Sequence, residues 1–120
     1  MSVQILIVDD DKTFVYGIKE FLKLRNVPAI TARSASEAIK LLSEEDISLV
    51  CADWDLGDST GLDVLSYAKD KDVPVVFLTV HDEDSYKEKA MSLGAARYYI
   101  KGVDSCEDII NDMERLLNEK

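Results

Sequence analysis

The sequence predicts an α/β domain in which a parallel sheet is covered by helices on both faces. Short apolar segments alternate five times with amphipathic segments along the 120 residues, and this alternation is typical of a doubly wound α/β domain. A chain of this length fits one domain, and a hydrophobic content of 47% is enough for one core. We therefore expect residues 1–120 to form a single domain.

The first half of the chain contains two predicted strands and two predicted helices. An apolar run, Gln4 to Val8, is the first strand, and a short second strand is expected at residues 28–31. Asp11 is placed to cap the first helix, whose apolar stripe at helical spacing is Phe14, Ile18, Phe21 and Leu22. The second helix is expected to bury Ala38, Ile39, Leu41 and Leu42.

The second half contains three further strands and three helices. The predicted strands are Ile47 to Ala52, Val73 to Leu78 and Arg97 to Ile100. The third helix is expected to start at Gly61 and the fourth to run from Asp84 to Leu93, where Gly94 ends it in the left-handed conformation. Apolar stripes mark the third helix at Leu62, Leu65 and Ala68, and the fifth at Ile109, Ile110, Met113, Leu116 and Leu117.

Polar side chains follow four of these strands at the point where each strand ends. Asp9, Asp10 and Asp11 follow the first strand, and Asp53 follows the third. The fourth and fifth strands end at Thr79 and Lys101. Because parallel strands end at the same edge of a sheet, these groups are expected to converge. Crowded carboxylates favour a hard divalent cation, and a hydroxyl and an ammonium beside them indicate phosphoryl chemistry.

Taken together, these motifs resemble the receiver domains of two-component response regulators over nearly the whole chain. The matching segments are Val8-Asp9-Asp10-Asp11, Asp53 followed by Gly61, Leu78-Thr79, Gly94-Ala95 and Tyr98-Tyr99-Ile100-Lys101. Each segment alone is weak evidence for the family, whereas all of them in this order at the ends of four strands are a specific signal. The resemblance implies a flavodoxin-like, CheY-like sheet of five parallel strands in the order 2-1-3-4-5, with five helices.

The resemblance also implies a metal site. Asp9 and Asp10 would hold magnesium, or manganese in its place, together with Asp53 and the backbone carbonyl of Asp55. Asp10 and Asp53 are expected to ligate directly, and Asp9 through water. Magnesium retains several waters in proteins, which suits so few protein ligands.

The remaining roles that the resemblance implies belong to phosphoryl transfer and switching. Asp53 is the phosphoacceptor, Thr79 the switch hydroxyl, Lys101 the phosphate-contacting lysine and Tyr98 the switch aromatic. Positions that influence the lifetime of the acyl phosphate are occupied by Asp55, Val80 and His81. We expect His81 and Trp54 to lie at the mouth of the site.

Such a domain takes a phosphoryl group from a sensor histidine kinase or a phosphotransfer protein and switches a protein-interaction surface. It is a signalling domain that catalyses its own phosphorylation and dephosphorylation only. Downstream, the resemblance implies a protein effector or an attached output domain. A homodimer through the fourth helix, last strand and fifth helix is one arrangement that it allows.

Three departures from the family pattern bear on the site. The loop after Asp53 contains Gly57 where a Met-Pro or Leu-Pro pair is common, so a stiff loop is replaced by one that we expect to be mobile. Val80 stands where a small residue is usual, and its bulk is expected to narrow access to Asp53. Gly102 replaces a proline after Lys101, so we expect a trans peptide bond there.

Two other interpretations remain open at this point. The departures allow a pseudo-receiver, a protein-binding module that keeps the fold without phosphotransfer. Asp53-Trp54-Asp55 also resembles the Asp-x-Asp motif of haloacid-dehalogenase-type phosphatases. In those enzymes the motif follows the first strand, whereas here a strand with its own acidic cluster precedes it, and 67 residues (120 − 53) follow Asp53.

Composition excludes several classes of partner. A net charge of −10, from 14 basic and 24 acidic residues, argues against direct nucleic-acid binding, which needs a basic surface. Two cysteines, Cys51 and Cys106, give no disulfide framework. The sequence shows no signal peptide and no apolar run of the roughly 18–20 residues that span a bilayer. We therefore expect a cytoplasmic protein without membrane contact.

Overall fold

The computed structural model describes residues 3–119, which form a parallel sheet between two layers of helices. The strands are β1 (Ile5–Val8), β2 (Ala29–Ala32), β3 (Leu49–Ala52), β4 (Val75–Thr79) and β5 (Arg97–Ile100). The helices are α1 (Lys12–Leu24), α2 (Ala35–Glu44), α3 (Gly61–Asp70), α4 (Asp84–Ser92) and α5 (Cys106–Asn118). The strand order is β2-β1-β3-β4-β5. The predicted fold class and strand order are confirmed.

The core consists of two apolar clusters, one on each face of the sheet. Successive side chains of a strand alternate between faces, so Leu6 and Val8 belong to one cluster and Ile5 and Ile7 to the other. Helices α2, α3 and α4 cover the first cluster, whereas α1 and α5 cover the second. Burial on both faces explains why the central strands read as continuous apolar runs.

Helix boundaries follow the predicted signals closely. Asp11 caps α1, because its Oδ1 accepts hydrogen bonds from the backbone N–H groups of Thr13 and Phe14 at 3.1 and 3.2 Å. Gly94 follows α4 with a φ of 105°, as expected of a left-handed glycine. Two predicted core positions differ: Phe21 is 46% exposed, and Ile39 is only partly buried and lies outside both apolar clusters. Val15 is buried in α1 instead, on the face that also contains Ile18 and Leu22.

The fifth strand has its predicted bounds, Arg97–Ile100, whereas the boundaries of the other four differ from prediction by one or two residues. The third strand begins at Leu49, although Ile47 before it is buried. The fourth begins at Val75, because Pro74 has no N–H to donate to the ladder. It also includes Thr79 as its last residue. These shifts leave the polar residues at the same edge of the sheet.

Both cysteines are free. Cys51 lies buried in β3, and this burial raises the pKa of its thiol to about 12. Cys106 is the first residue of α5 and is partly exposed. Within residues 3–119, no helix combines the length and the apolar character that crossing a bilayer requires.

Candidate functional site

The site lies where β1, β3, β4 and β5 end, and strand register brings its residues together. Val8 pairs with Ala52 in the ladder between β1 and β3, so the next residues, Asp9 and Asp53, are neighbours. The backbone N–H of Asp53 donates to the carbonyl of Val8 at 2.9 Å. Likewise, the N–H of Lys101 donates to the carbonyl of Thr79 at 2.8 Å. Parallel pairing thus places two carboxylates, a hydroxyl and an ammonium at one edge.

Three carboxylates converge at this edge. Asp9, Asp10 and Asp53 each present an oxygen, and these oxygens lie within 4.8 Å of one another. The side chains of Asp9 and Asp53 are buried, whereas Asp10 is exposed. Burial raises the pKa of the Asp9 carboxyl, and the hydrogen bond from Lys101 partly opposes that rise. Such a set of hard oxygen donors fits a divalent cation of the magnesium type.

Lys101 connects two of these carboxylates. Its Nζ donates to Asp9 Oδ2 at 2.7 Å and to Asp53 Oδ2 at 3.1 Å, and its side chain is only 15% exposed. Desolvation lowers the pKa of the Lys101 ammonium, but the two carboxylates outweigh it, and the pKa lies above its ordinary value. The ammonium also lies 4.4 Å from the centre of the Phe14 ring. A charged lysine is therefore held against the candidate phosphoacceptor.

Thr79 is completely buried beside this cluster. Its Oγ1 accepts a hydrogen bond from the backbone N–H of His81 at 3.4 Å. The second carboxylate oxygen of Asp53, Oδ1, accepts from the N–H of Trp54 at 2.6 Å. The predicted hydroxyl is thus in place at the end of β4, with its hydrogen bond directed to the backbone of the following loop.

The two adjacent tyrosines of β5 face opposite sides of the sheet. Tyr98 is partly buried against Phe77, with ring centres 6.2 Å apart, and its hydroxyl donates to the backbone carbonyl of His81 at 2.7 Å. Burial raises the pKa of Tyr98 to about 12. Tyr99 is buried in the other cluster, where its hydroxyl donates to Asp112 Oδ2 at 2.8 Å. The expected switch aromatic is thus tied to the loop after Thr79.

His81 and Asp55 form an ion-pair geometry between two loops of the site. His81 Nε2 lies 2.7 Å from Asp55 Oδ2. The imidazole also stacks on the Tyr86 ring, with centres 4.2 Å apart and planes inclined by 2°. Sequence reasoning placed both residues beside the site but missed their pairing and missed Tyr86. A tyrosine in the first turn of a polar helix gives no local signal of such a contact.

Trp54 corrects the expectation that it lines the mouth of the site. Its side chain is buried in the core cluster under α2, α3 and α4. The indole packs against Phe77 at 5.6 Å and against Tyr86 at 4.8 Å between ring centres. The reason is that an indole beside an apolar cluster gains more from burial than from lining a polar opening.

The three departures from the family pattern have different structural outcomes. Val80 is 63% exposed, and its effect on access to Asp53 stays a prediction. Gly102 has a φ of 81°, and no peptide bond within residues 3–119 is cis, as expected for Lys101–Gly102. The loop with Gly57 contacts α2, because Asp58 accepts hydrogen bonds from the first two N–H groups of that helix, and its mobility stays a prediction.

The sequence is similar to a known protein family over most of its length. Residues 5–113 match the family described as the response regulator receiver domain. The heme response regulator HssR of Staphylococcus aureus strain Newman is 33% identical over 100 residues, which are 82% of this chain and 45% of HssR. The chain thus spans less than half the length of that relative.

Solved receiver domains share the fold. The non-phosphorylated HemR receiver domain from Leptospira biflexa superposes with a TM-score of 0.86 at 29% identity, covering 97% of this chain and 94% of that one. A CheY-like response regulator receiver domain protein from Methanospirillum hungatei JF-1 gives a TM-score of 0.90 at 24% identity, covering 99% and 96%. The second likeness concerns the fold alone.

Proposed function

The chain belongs to the response regulator receiver family, and from that premise we propose that Asp53 accepts a phosphoryl group in a magnesium-dependent reaction. Receiver domains work in two-component systems, where they interact with histidine kinases and output domains. The observation that carries the proposal is the convergence of Asp9, Asp10 and Asp53 within 4.8 Å. Lys101 adds an ammonium 3.1 Å from Asp53. Residues 1–120 would act as one signalling domain of a cytoplasmic protein.

The transfer uses the Asp53 carboxylate as nucleophile. One carboxylate oxygen attacks the phosphorus of a phosphohistidine on a sensor kinase or phosphotransfer protein, and a P–O bond forms as the P–N bond breaks. The electron pair of that bond returns to the imidazole nitrogen. Dephosphorylation is attack by water on the same phosphorus, which releases inorganic phosphate and restores the carboxylate. Neither step makes the domain a general enzyme, because the group that the domain phosphorylates and dephosphorylates is its own Asp53.

The residues around Asp53 supply the charge balance that this reaction needs. Asp9, Asp10, Asp53 and the backbone carbonyl of Asp55 would hold magnesium, or manganese. The metal, when bound, neutralises charge on phosphoryl oxygens. The Lys101 ammonium, already held 3.1 Å from Asp53, is placed to donate to the same oxygens. Preorganised positive charge is a large source of stabilisation in such transfers.

Switching would proceed from Asp53 through Thr79 and Tyr98. The Thr79 hydroxyl is buried at the end of β4, where its oxygen accepts from the N–H of His81 in the following loop, and its O–H can donate to a phosphoryl oxygen. Because Tyr98 donates to the carbonyl of His81, movement of that loop would shift Tyr98 as well. The affected face is α4, β5 and α5. We propose that an effector protein, an attached output domain or a second copy of the domain binds there.

Intact mass measurement tests the proposal. The protein is incubated with magnesium and a small acyl-phosphate donor, and a transient adduct of one phosphoryl group is expected. The adduct should be absent from Asp53→Asn and from wild type treated with a chelator. A folded wild-type protein that forms no adduct would support the pseudo-receiver interpretation. Steady hydrolysis of a generic phosphate ester would support the interpretation of the chain as an Asp-x-Asp phosphatase.

A further inference from the structure

We propose that Asp58 is a positioning residue for the metal and phosphoryl site, because it fastens the loop after Asp53 to the N-terminus of α2. The inference rests on the proposed function and deepens it. It concerns a residue that lies outside the acidic cluster. Its partners are distant in sequence, on the helix that follows β2.

The contact uses both carboxylate oxygens of Asp58. Oδ1 accepts from the backbone N–H of Ala35 at 3.0 Å, and Oδ2 accepts from that of Ser36 at 3.2 Å. These are the first two residues of α2, whose N–H groups have no partner within the helix. The third N–H, that of Glu37, donates to Ser34 Oγ at 3.1 Å. Two different side chains therefore share the capping of α2.

Helix α2 also has an N-cap of its own, independent of Asp58. Ser34 is the N-cap that the helix's own sequence provides, and Glu37 accepts a hydrogen bond at 2.7 Å from the N–H of Arg33, the residue before that cap. Asp58 adds bonds from a loop 22 and 23 residues away in sequence. The pKa of Asp58 is lowered, chiefly by the hydrogen bonds from Ala35 and Ser36. The bond thus joins an ionised carboxylate to a helix N-terminus, a favourable pairing.

The loop itself is built so that its tip can reach α2. Asp55 and Thr60 form an isolated bridge, and the N–H of Gly61 donates to the carbonyl of Trp54 at 2.8 Å. Gly57, with a φ of 78°, turns the chain at the tip, just before Asp58. Glycine makes this tip costly to order, and the two hydrogen bonds of Asp58 offset that cost. They link the loop to α2, which covers the same face of the sheet as α3.

The position of this loop matters because it carries Asp55. The backbone carbonyl of Asp55 is a proposed magnesium ligand, and its carboxylate pairs with His81 at 2.7 Å. Magnesium demands nearly ideal octahedral geometry. A loop released from α2 would keep the Asp55–Thr60 bridge and the pair with His81, but the carbonyl of Asp55 would be placed less precisely and the affinity for the metal would fall. Asp58 therefore acts on the site through Asp55.

A matched pair of variants separates this role from plain helix capping. Asp58→Ala removes the two hydrogen bonds that join the loop to the N-terminus of α2. Ser34→Ala removes a capping hydrogen bond of the same helix but keeps the contact with the loop. Both are expected to lower the melting temperature. Only Asp58→Ala is expected to weaken magnesium binding, which is measured by calorimetry with magnesium alone. The expected loss of affinity is roughly 10-fold, the lower end of the range for removing a residue that orients a metal ligand. Asp58→Asn, which keeps one acceptor oxygen, should recover part of that loss.

Two further readouts complete the test. Without magnesium, amide hydrogen exchange of residues 54–60 should be faster in Asp58→Ala than in Ser34→Ala. With the acyl-phosphate donor, the half-saturating magnesium concentration should rise in Asp58→Ala while the limiting rate of adduct formation is retained. Equal magnesium affinities in Asp58→Ala, Ser34→Ala and wild type would overturn the role of Asp58 and leave the proposed function standing. A wild type that binds no magnesium would overturn both.

Discussion

Helices α4 and α5 flank β5, yet they are held to the domain in different ways. Helix α5 buries Ile109, Ile110, Met113 and Leu116 and is capped by Ser105, whose Oγ accepts from the N–H of Asp108 at 3.1 Å. Within α4, Ala90 is the one fully buried residue, and Glu83 at the N-cap position makes no side-chain capping bond. Met91 and Leu93 near its end are 41% and 45% exposed. Burial thus anchors α5 far more firmly than α4.

What holds α4 lies next to the candidate site. Tyr86, in its first turn, contacts Trp54 edge-on at 4.8 Å and stacks on His81 at 4.2 Å. Trp54 follows the proposed phosphoacceptor, and His81 follows Thr79 by two residues. A helix with little buried surface is easily displaced. If Asp53 is phosphorylated as we propose, we expect α4 to move while the buried residues of α5 keep their positions, so that α5 contributes a fixed part of the affected face.

The largest expected effect compares the same substitution in the two helices. Met113→Ala in α5 removes a fully buried side chain and should lower the free energy of unfolding by about 2–5 kcal/mol. Met91→Ala in α4 should change it by much less, on the order of 0.5 kcal/mol, because Met91 is 41% exposed and lies outside both apolar clusters. Urea unfolding of both variants measures the difference. Equal losses would break the comparison.

A smaller effect is expected at the aromatic contact of α4. Tyr86→Ala removes the ring that packs on Trp54 and His81, and such aromatic pairs contribute about 0.5–1.5 kcal/mol each beyond burial. We expect faster amide exchange along α4, a shift in Trp54 fluorescence and unchanged exchange in α5. Tyr86→Phe is the control, since it keeps the ring. If α4 exchanged at the wild-type rate in Tyr86→Ala, its anchor would lie elsewhere.

The smallest expected effect is an alkaline titration of the two β5 tyrosines. Burial raises the pKa of both phenols, that of Tyr98 to about 12, and Asp112 on α5 raises the pKa of Tyr99 further. The pKa of each tyrosine is higher in the folded state than in the unfolded state, so the protonated phenols stabilise the folded protein fully below about pH 10. This stabilisation is lost as the pH rises towards 12. Absorbance of Tyr98→Phe and Tyr99→Phe should show Tyr98 ionising first; the reverse order would contradict the assignment.

Sequence reasoning located the parts of the site that strand endings determine. Asp9, Asp53, Thr79 and Lys101 were predicted together because parallel strands end at one edge, and the register confirms their adjacency. Their roles in metal binding and phosphoryl transfer stay predictions. The fold class was predicted correctly from the alternation of strands and helices. The strand order was predicted correctly from the resemblance to receiver domains.

Contacts between elements distant in sequence could not be predicted. Asp58 reads as an ordinary loop acid because its partners in α2 lie 22 and 23 residues away. Trp54 was placed at the mouth because it directly follows Asp53, the candidate phosphoacceptor, but the indole packs inward against Phe77 and Tyr86. Phe21 matched the helical stripe, yet the face of α1 that meets the sheet is the one with Val15 and Ile18. Each of these depends on tertiary packing.

The most direct test measures hydrogen exchange in α4 and α5 before and after phosphorylation. Wild type and Asp53→Asn are incubated with magnesium and a small acyl-phosphate donor, and intact mass is recorded on the same samples. We expect residues 84–92 to change protection in phosphorylated wild type, residues 109–116 to remain as before, and neither to change in Asp53→Asn. Unchanged protection in α4 of a protein shown to carry the phosphoryl group, or the same change in Asp53→Asn, would contradict signalling from Asp53 through α4.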